Sequence, residues 1–415
     1  MNENDKFNND NPGEEEKEKI SFSDDELGKR REYNGNPYSD PKYHSDWHGE
    51  EKRSSTRFEG YNPYSKYKSE EPEFCEERSQ TPSDDFCEAL DVTEAKSDFH
   101  YLGLGFALFT LISAVVSLVI QLVGMAMNKD ALSNIWFINI ISPVALYLFA
   151  LPVLLVILSK VPARKAEGRP MRVKEWLACF LVCFGLMYIG SFISEYVVSF
   201  LSAMTGKDYT NALNDLIDFN DLSNLWVTAL FTVVIAPIGE ELVFRKLIID
   251  RTRKYGAATS IIISALLFGL MHGNVFQLFY AFLLGLVLGY MYYTTGKVLP
   301  GMLMHAAVNF FGSIVVVLLT YGIDLEAIES GDMIAVLELV SKHWIQLALL
   351  AVFTLFIYAC MVCAIVIPIA NRKKIVLDKG ESPIPRGLLK KVVIFNGGMI
   401  VLWVVFALQL AISLL

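Results

Sequence analysis

"IGEELVFRK", Ile238–Lys246, lies inside an apolar run, with "LWVTALFTVVIAP" (Leu225–Pro237) before it and "LIID" (Leu247–Asp250) after it. A run of that length reads as a membrane-crossing helix, because the hydrocarbon core demands about 20 apolar residues. Charged side chains cost a few kcal/mol each at that depth, so Glu240, Glu241 and Arg245 mark function by default. Spacing separates the two glutamates. Glu241 and Arg245 are four apart and share a helical face, where they can pair. Glu240 is turned about 100° away, so it is the carboxylate left for chemistry or a ligand. Pro237 and Gly239 just upstream predict a kink that opens room beside Glu240.

The rest of the chain fits a membrane setting. The 415 residues are 53% hydrophobic, yet residues 1–98 hold 27 acidic and 14 basic side chains, a net of −13. The whole chain carries −9, so residues 99–415 carry +4 and the acidic balance belongs to the tail. Nothing in this distribution points to nucleic acid. The tail is polar and poor in aliphatic residues, which predicts disorder. It repeats "NPYS" at Asn36–Ser39 and Asn62–Ser65, a candidate docking motif for a protein partner against the simpler reading of a solvated linker. Cys75 and Cys87 lie in the tail, and Cys179/Cys183 and Cys360/Cys363 lie within apolar runs, so no disulfide framework is expected. His44 and His48 have helical ligand spacing but fall in the tail, where a solvated pair is expected.

Nine candidate spans follow: about 101–127, 135–158, 176–204, 224–249, 257–271, 275–293, 298–320, 345–370 and 392–414. The fifth is short and ends in "MHGN" (Met271–Asn274), which reads as a tight reversal into the sixth. Loop charges alternate. The 160–175 loop has six basic residues against two acidic and the 371–391 loop has seven basic. The 205–223 loop has one lysine against Asp208, Asp215, Asp218 and Asp221, and the 321–343 loop has Lys342 against five acidic residues. By the positive-inside rule the amino terminus is cytoplasmic and the carboxyl terminus outside. The expected fold is an all-α, polytopic helical bundle of about 8–9 transmembrane helices behind a disordered acidic tail. Its segments are the tail (1–98), a first set of helices (99–220), a core carrying the polar residues (221–320) and a last set (321–415). A multi-pass protein of a bacterial plasma membrane is expected, with the bilayer and membrane-associated proteins or peptides as partners.

Few polar residues enter the spans. Besides the glutamates and Arg245, they are His272 at the end of span five, four after Phe268, and His305 and Asn309, four apart on span seven. Counted at about 1.5 Å per residue from the basic end, Glu240, His272, His305 and Asn309 lie some 10–20 Å deep. A carboxylate and an imidazole can hold and deprotonate a water, and a second imidazole with a carboxamide can stabilise an oxyanion. That set suits amide hydrolysis. Glu and His could instead ligate a divalent metal. No HExxH helix occurs, and no serine or aspartyl intramembrane-protease motif. The alternatives are a buried polar network in a non-enzymatic scaffold, or a proton relay in a transporter, though no inverted repeat is visible.

"EELVFR" (Glu240–Arg245), "FGLMH" (Phe268–His272) and "HAAVN" (His305–Asn309) resemble, in order and spacing, the EExxxR, FxxxH and HxxxN/D motifs of the CAAX prenyl protease and bacteriocin-processing (CPBP) family. That family includes the Ras-converting enzyme and bacterial intramembrane proteases. The resemblance covers about residues 225–320. It implies that Glu240 with His272 activates the hydrolytic water and that His305 and Asn309 stabilise the oxyanion. Glu241 would be required too, with Arg245 and Phe268 as structural support. It also implies either a divalent metal such as zinc, held by Glu240, His272 and His305, or a metal-free glutamate mechanism. Some members act as scaffolds without cleavage.

Overall fold

The computed structural model describes residues 90–207, 209, 225–323, 332–375 and 377–414. They fall within the second of two compact units, Ser83–Leu415. Residues 1–89, with both "NPYS" repeats, the tail histidines and Cys75 and Cys87, lie outside the described residues, as do Asp208, Asp215, Asp218 and Asp221.

Among the described residues there is no strand. The helices are α1 (Val92–Met127), α2 (Ile135–Leu158), α3 (Val173–Thr205), α4 (Leu225–Tyr255), α5 (Ala257–Met271), α6 (Val275–Thr295), α7 (Leu299–Thr320), α8 (Met333–Ala370), α9 (Arg386–Ile394) and α10 (Gly397–Ser413). Seven are long and apolar enough to cross a bilayer, or eight if the bent pair α9–α10 is one span. The fifth expected span, α5, has 15 residues and reaches only about 22 Å, short of a hydrocarbon core of about 30 Å. The first expected span is corrected at its start. The helix begins at Val92, capped by the Asp91 carboxylate, which accepts from the Thr93 and Glu94 amides at 2.8 and 3.1 Å. The last stretch of the expected tail is therefore helical. The ninth expected span starts at a break, where α9 meets α10 at 65°.

Turn chemistry accounts for the other ends. Gly206 at φ 71° stops α3 and Gly296 at φ 63° stops α6. The expected reversal at "MHGN" forms: Gly273 takes φ 70°, and the Asn274 side chain caps α6 by accepting from the Gln277 amide at 2.9 Å.

The loops that carry the basic residues meet at one end of the bundle. The Arg164 amide donates to the Asp250 carbonyl at 2.7 Å, Arg169 to Thr294 at 3.2 Å, Ala257 to Asp378 at 2.9 Å and Ser382 to Lys254 at 2.8 Å. Arg164 also pairs with Glu381. At the same end Lys254, nearly buried, closes on Glu94 and Asp98 at 2.6 and 2.7 Å, and the Tyr255 hydroxyl donates to Asp98 at 2.7 Å. Elsewhere glycines let helices approach backbone to backbone. A Cβ at Gly185 of α3 would strike the Cys360 carbonyl of α8, and one at Gly103 of α1 would strike Gly398 and Met399 of α10.

Candidate active site

The centre is built on α4, which is not a plain α-helix. Leu230–Ile235 and Glu241–Leu247 are π-helical, flanking an α-helical turn at Ala236–Glu240 that contains Pro237. Wide turns of this kind recur at functional sites because they re-aim side chains and loosen the backbone ladder. The ladder's gaps are filled from neighbouring helices. Just before the proline, the Ala236 amide reaches the Phe231 carbonyl five residues back. Continued by one residue, that register would join Pro237 to the Thr232 carbonyl, but proline has no N–H. Asn309 Nδ2 of α7 donates to Thr232 O instead, at 2.8 Å. In the second wide turn, Ser264 Oγ of α5 donates to the Phe244 carbonyl at 2.7 Å.

From α4 a chain of charged groups runs inward. Arg245 Nε faces Glu241 Oε2 at 3.2 Å, with both side chains essentially inaccessible. The expected four-residue pair therefore forms. It is an ion pair without the alignment of a hydrogen bond, since none of the guanidinium nitrogens has a hydrogen-bond partner. The guanidinium lies over the Phe268 ring at 4.4 Å, a cation–π contact that offsets part of its desolvation. The other oxygen, Glu241 Oε1, meets His305 Nδ1 at 3.2 Å. His305 Nε2 lies 3.7 Å from Glu240 Oε2. Glu240 is the member that the surroundings reach: its side chain is 24% exposed, against 4% for His305. A carboxylate only accepts, so Nδ1 carries the hydrogen toward Glu241.

His272 stands apart from this chain. It follows α5, and its Nδ1 lies 2.9 Å from the Phe268 carbonyl, an obligate acceptor, so this nitrogen is the donor. Among the described residues, no hydrogen bond or ion pair joins His272 to Glu240. The carboxylate's imidazole neighbour is His305 instead. Phe268 ties the two histidines together, edge-on to His272 at 5.1 Å and to His305 at 5.6 Å. The three motifs thus converge on one centre, in which His305 rather than His272 directly faces Glu240. Asn309, expected beside an oxyanion, has its amide on Thr232.

A divalent metal held by Glu240, His272 and His305 was one expectation and a metal-free glutamate mechanism the other. Among the described residues no group of three or more His, Cys, Asp or Glu side chains is placed to hold a metal ion. Both His305 nitrogens already face carboxylates.

Three further residues shape the site and carry no charge pattern to reveal them. Tyr147 of α2 packs onto Gly239, where a Cβ would strike its ring and hydroxyl. Gly301 of α7 lets that helix pass Glu241, whose Oε2 would lie 3.0 Å from an added Cβ. Thr232 is marked only by standing five residues before a proline. The Leu225–Pro237 run holds two threonines, Thr228 and Thr232, and nothing in it singles out the second.

Comparison with curated proteins and with solved structures gives no match. Residues 222–311 match the family model for "Type II CAAX prenyl endopeptidase Rce1-like", an interval that holds all three motifs. Over residues 222–311, then, this integral-membrane chain is similar to the Rce1-like type II CAAX prenyl endopeptidases.

Proposed function

We propose that the protein is an intramembrane endopeptidase of the glutamate type, cleaving peptide bonds of membrane-associated proteins or peptides. The observation that carries this reading is the Glu240–His305–Glu241–Arg245 chain, in which one reachable carboxylate faces an imidazole held from behind. Glu240 acts as general base. It takes a proton from water as the water oxygen bonds to the substrate carbonyl carbon. As the C–N bond breaks, the proton passes to the leaving amine nitrogen. His305, fixed through Nδ1 by Glu241, places Nε2 3.7 Å from Glu240 Oε2. Arg245 supplies the counter-charge to Glu241, which holds His305. His272, edge-on to the same phenyl ring, faces the water or the substrate with Nε2. The basic loops lie in the cytoplasm, so substrate enters from the cytoplasmic half.

The test is cleavage of a membrane-peptide library by the purified full-length protein, read by mass spectrometry. Glu240→Gln and His305→Ala are expected to lose turnover by about 100-fold or more while melting near the wild-type temperature. Undiminished cleavage by a folded Glu240→Gln protein overturns the reading. If a cleavage-dead variant fully restores a deletion phenotype, the scaffold reading stands instead.

A further inference from the structure

The turn between α5 and α6 starts a chain of hydrogen bonds whose direction the backbone fixes. Asn274, Gln277 and Tyr280 follow at three-residue intervals and share one strip of α6. The His272 carbonyl can only accept, so the Asn274 atom facing it at 2.9 Å is Nδ2. The Gln277 backbone N–H can only donate, so the atom facing it at 2.9 Å is Asn274 Oδ1. Asn274 Nδ2 has a second hydrogen, which it gives to Gln277 Oε1 at 2.8 Å. Gln277 then turns its own Nε2 to the Tyr280 hydroxyl, also at 2.8 Å. The tyrosine oxygen is thus an acceptor in this chain, and its own hydrogen points elsewhere. Among the described residues no acceptor takes that hydrogen.

The hydroxyl belongs to the same neighbourhood as the Glu240 centre. The Tyr280 ring stands edge-on to His272 at 6.4 Å, and the Glu240 carboxylate is near enough to act on the hydroxyl electrostatically. The Tyr280 backbone is held against α3 at Gly190, where an added Cβ would strike it. Peptide hydrolysis puts negative charge on the carbonyl oxygen, and a preplaced donor stabilises that charge. Asn309 already gives an amide hydrogen to Thr232 O at 2.8 Å. A second phenol near Glu240, Tyr147, lies with its hydroxyl against Gly239. We propose that Tyr280 is a further catalytic residue, its hydroxyl donating to the substrate carbonyl oxygen as charge builds there, with Asn274 and Gln277 as positioning residues that aim it. This role presupposes the endopeptidase activity proposed for the Glu240 centre.

The experiment measures kcat and KM of the purified full-length protein on a peptide that the wild type cleaves in the membrane-peptide library, with Glu240→Gln assayed alongside. Tyr280→Phe removes the hydroxyl and keeps the ring. Its kcat is expected to fall about 100-fold, with KM within about twofold and melting unchanged. Gln277→Met removes the amide that aims the hydroxyl. It is expected to lower kcat about tenfold alone and to have no further effect in the Tyr280→Phe background. Equal losses from Gln277→Met in the two backgrounds overturn the aiming chain. Unchanged kcat in folded Tyr280→Phe, with Glu240→Gln inactive, overturns the Tyr280 assignment alone, and a loss in Tyr147→Phe would then move the donor to α2. If Tyr280→Phe fails to fold, Gln277→Met decides, and unchanged kcat there overturns the proposal. Full cleavage by Glu240→Gln instead overturns the general-base reading, whatever Tyr280→Phe does. A wild type that cleaves no peptide overturns both.

Discussion

Asn309 Nδ2 donates to the Thr232 carbonyl across 2.8 Å, and Thr232 O is the acceptor that the wide helical register would have offered to Pro237. A side chain on α7 thus supplies what the backbone of α4 cannot. The same contact ties the helix bearing His305 to the kinked segment bearing Glu240, so the carboxylate–imidazole geometry and the proline kink are parts of one arrangement.

Removing that donor has a readable consequence. Asn309→Ala leaves the Thr232 carbonyl without its side-chain partner in an apolar setting, at a cost of about 1–3 kcal/mol. Pro237→Ala restores a backbone N–H that can take over. Asn309→Ala is then expected to cost less in the Pro237→Ala background than alone, with a coupling of at least about 0.5 kcal/mol. Thermal unfolding in detergent of the four-member cycle measures it, and additive costs would show that the two residues do not share this carbonyl.

Arg245 is expected to be the least replaceable residue of the centre for stability. Its charge is fully buried between Glu241 and the Phe268 ring. Arg245→Ala leaves the Glu241 carboxylate buried and unpaired, a loss of about 3–5 kcal/mol. Arg245→Lys recovers little, since an ammonium cannot lie flat on the ring and face the carboxylate together. Arg245→Met with Glu241→Gln removes both charges and is expected to unfold at a higher temperature than Arg245→Ala.

Much of this was legible in the chain because it depends on residues close in sequence. The Glu241–Arg245 pair, the reversal at Gly273 and the basic loops gathering at one end follow from spacing and loop charge. The partner of Glu240 was not legible. Motif order alone joined it to His272, whereas helix rotation and the π-helical turns bring His305 within 3.7 Å. The start of α1 was missed for a different reason. Asp91–Asp98 is as polar as the tail before it, and only the fold shows that Asp98 serves buried Lys254. Tyr147 and Gly301 were invisible because an aromatic or a glycine in an apolar span has an ordinary packing reading, and only proximity to Glu240 or Glu241 gives it another.

The packing glycines allow a direct test. Gly185→Ala places a methyl on the Cys360 carbonyl, so α3 and α8 must separate. A loss of about 1–3 kcal/mol is expected, read as a lower melting temperature. Gly387→Ala, in α9 with nothing within 4 Å of the added Cβ, is the comparison and is expected to melt as the wild type does.

Metal removal distinguishes the two chemistries that the motifs allow. No group of three ligating side chains converges among the described residues, so dialysis against a strong chelator is expected to leave cleavage within about twofold, too small a change for the loss of a metal-activated water. Metal analysis of the same sample accompanies the assay. Complete loss on chelation, restored by added zinc, would require the site to rearrange around a cation.

The two glutamates are expected to fail differently, although they are adjacent. Glu240 ends the charged chain at its reachable side and, among the described residues, its one ion-pair contact is with His305. Glu240→Gln keeps the shape of the side chain and removes the base, so kcat falls by about 100-fold or more while the melting temperature holds. Glu241 serves two partners at once, Arg245 and His305. Glu241→Gln leaves the Arg245 charge buried without its counterion, so the variant loses about 3 kcal/mol or more of stability, and activity falls with it because His305 is no longer fixed. Measuring kcat and thermal unfolding on both variants separates the roles. Equal stability losses would mean that Glu240 is as structural as Glu241, and the general base would then have to be sought at His272 or His305.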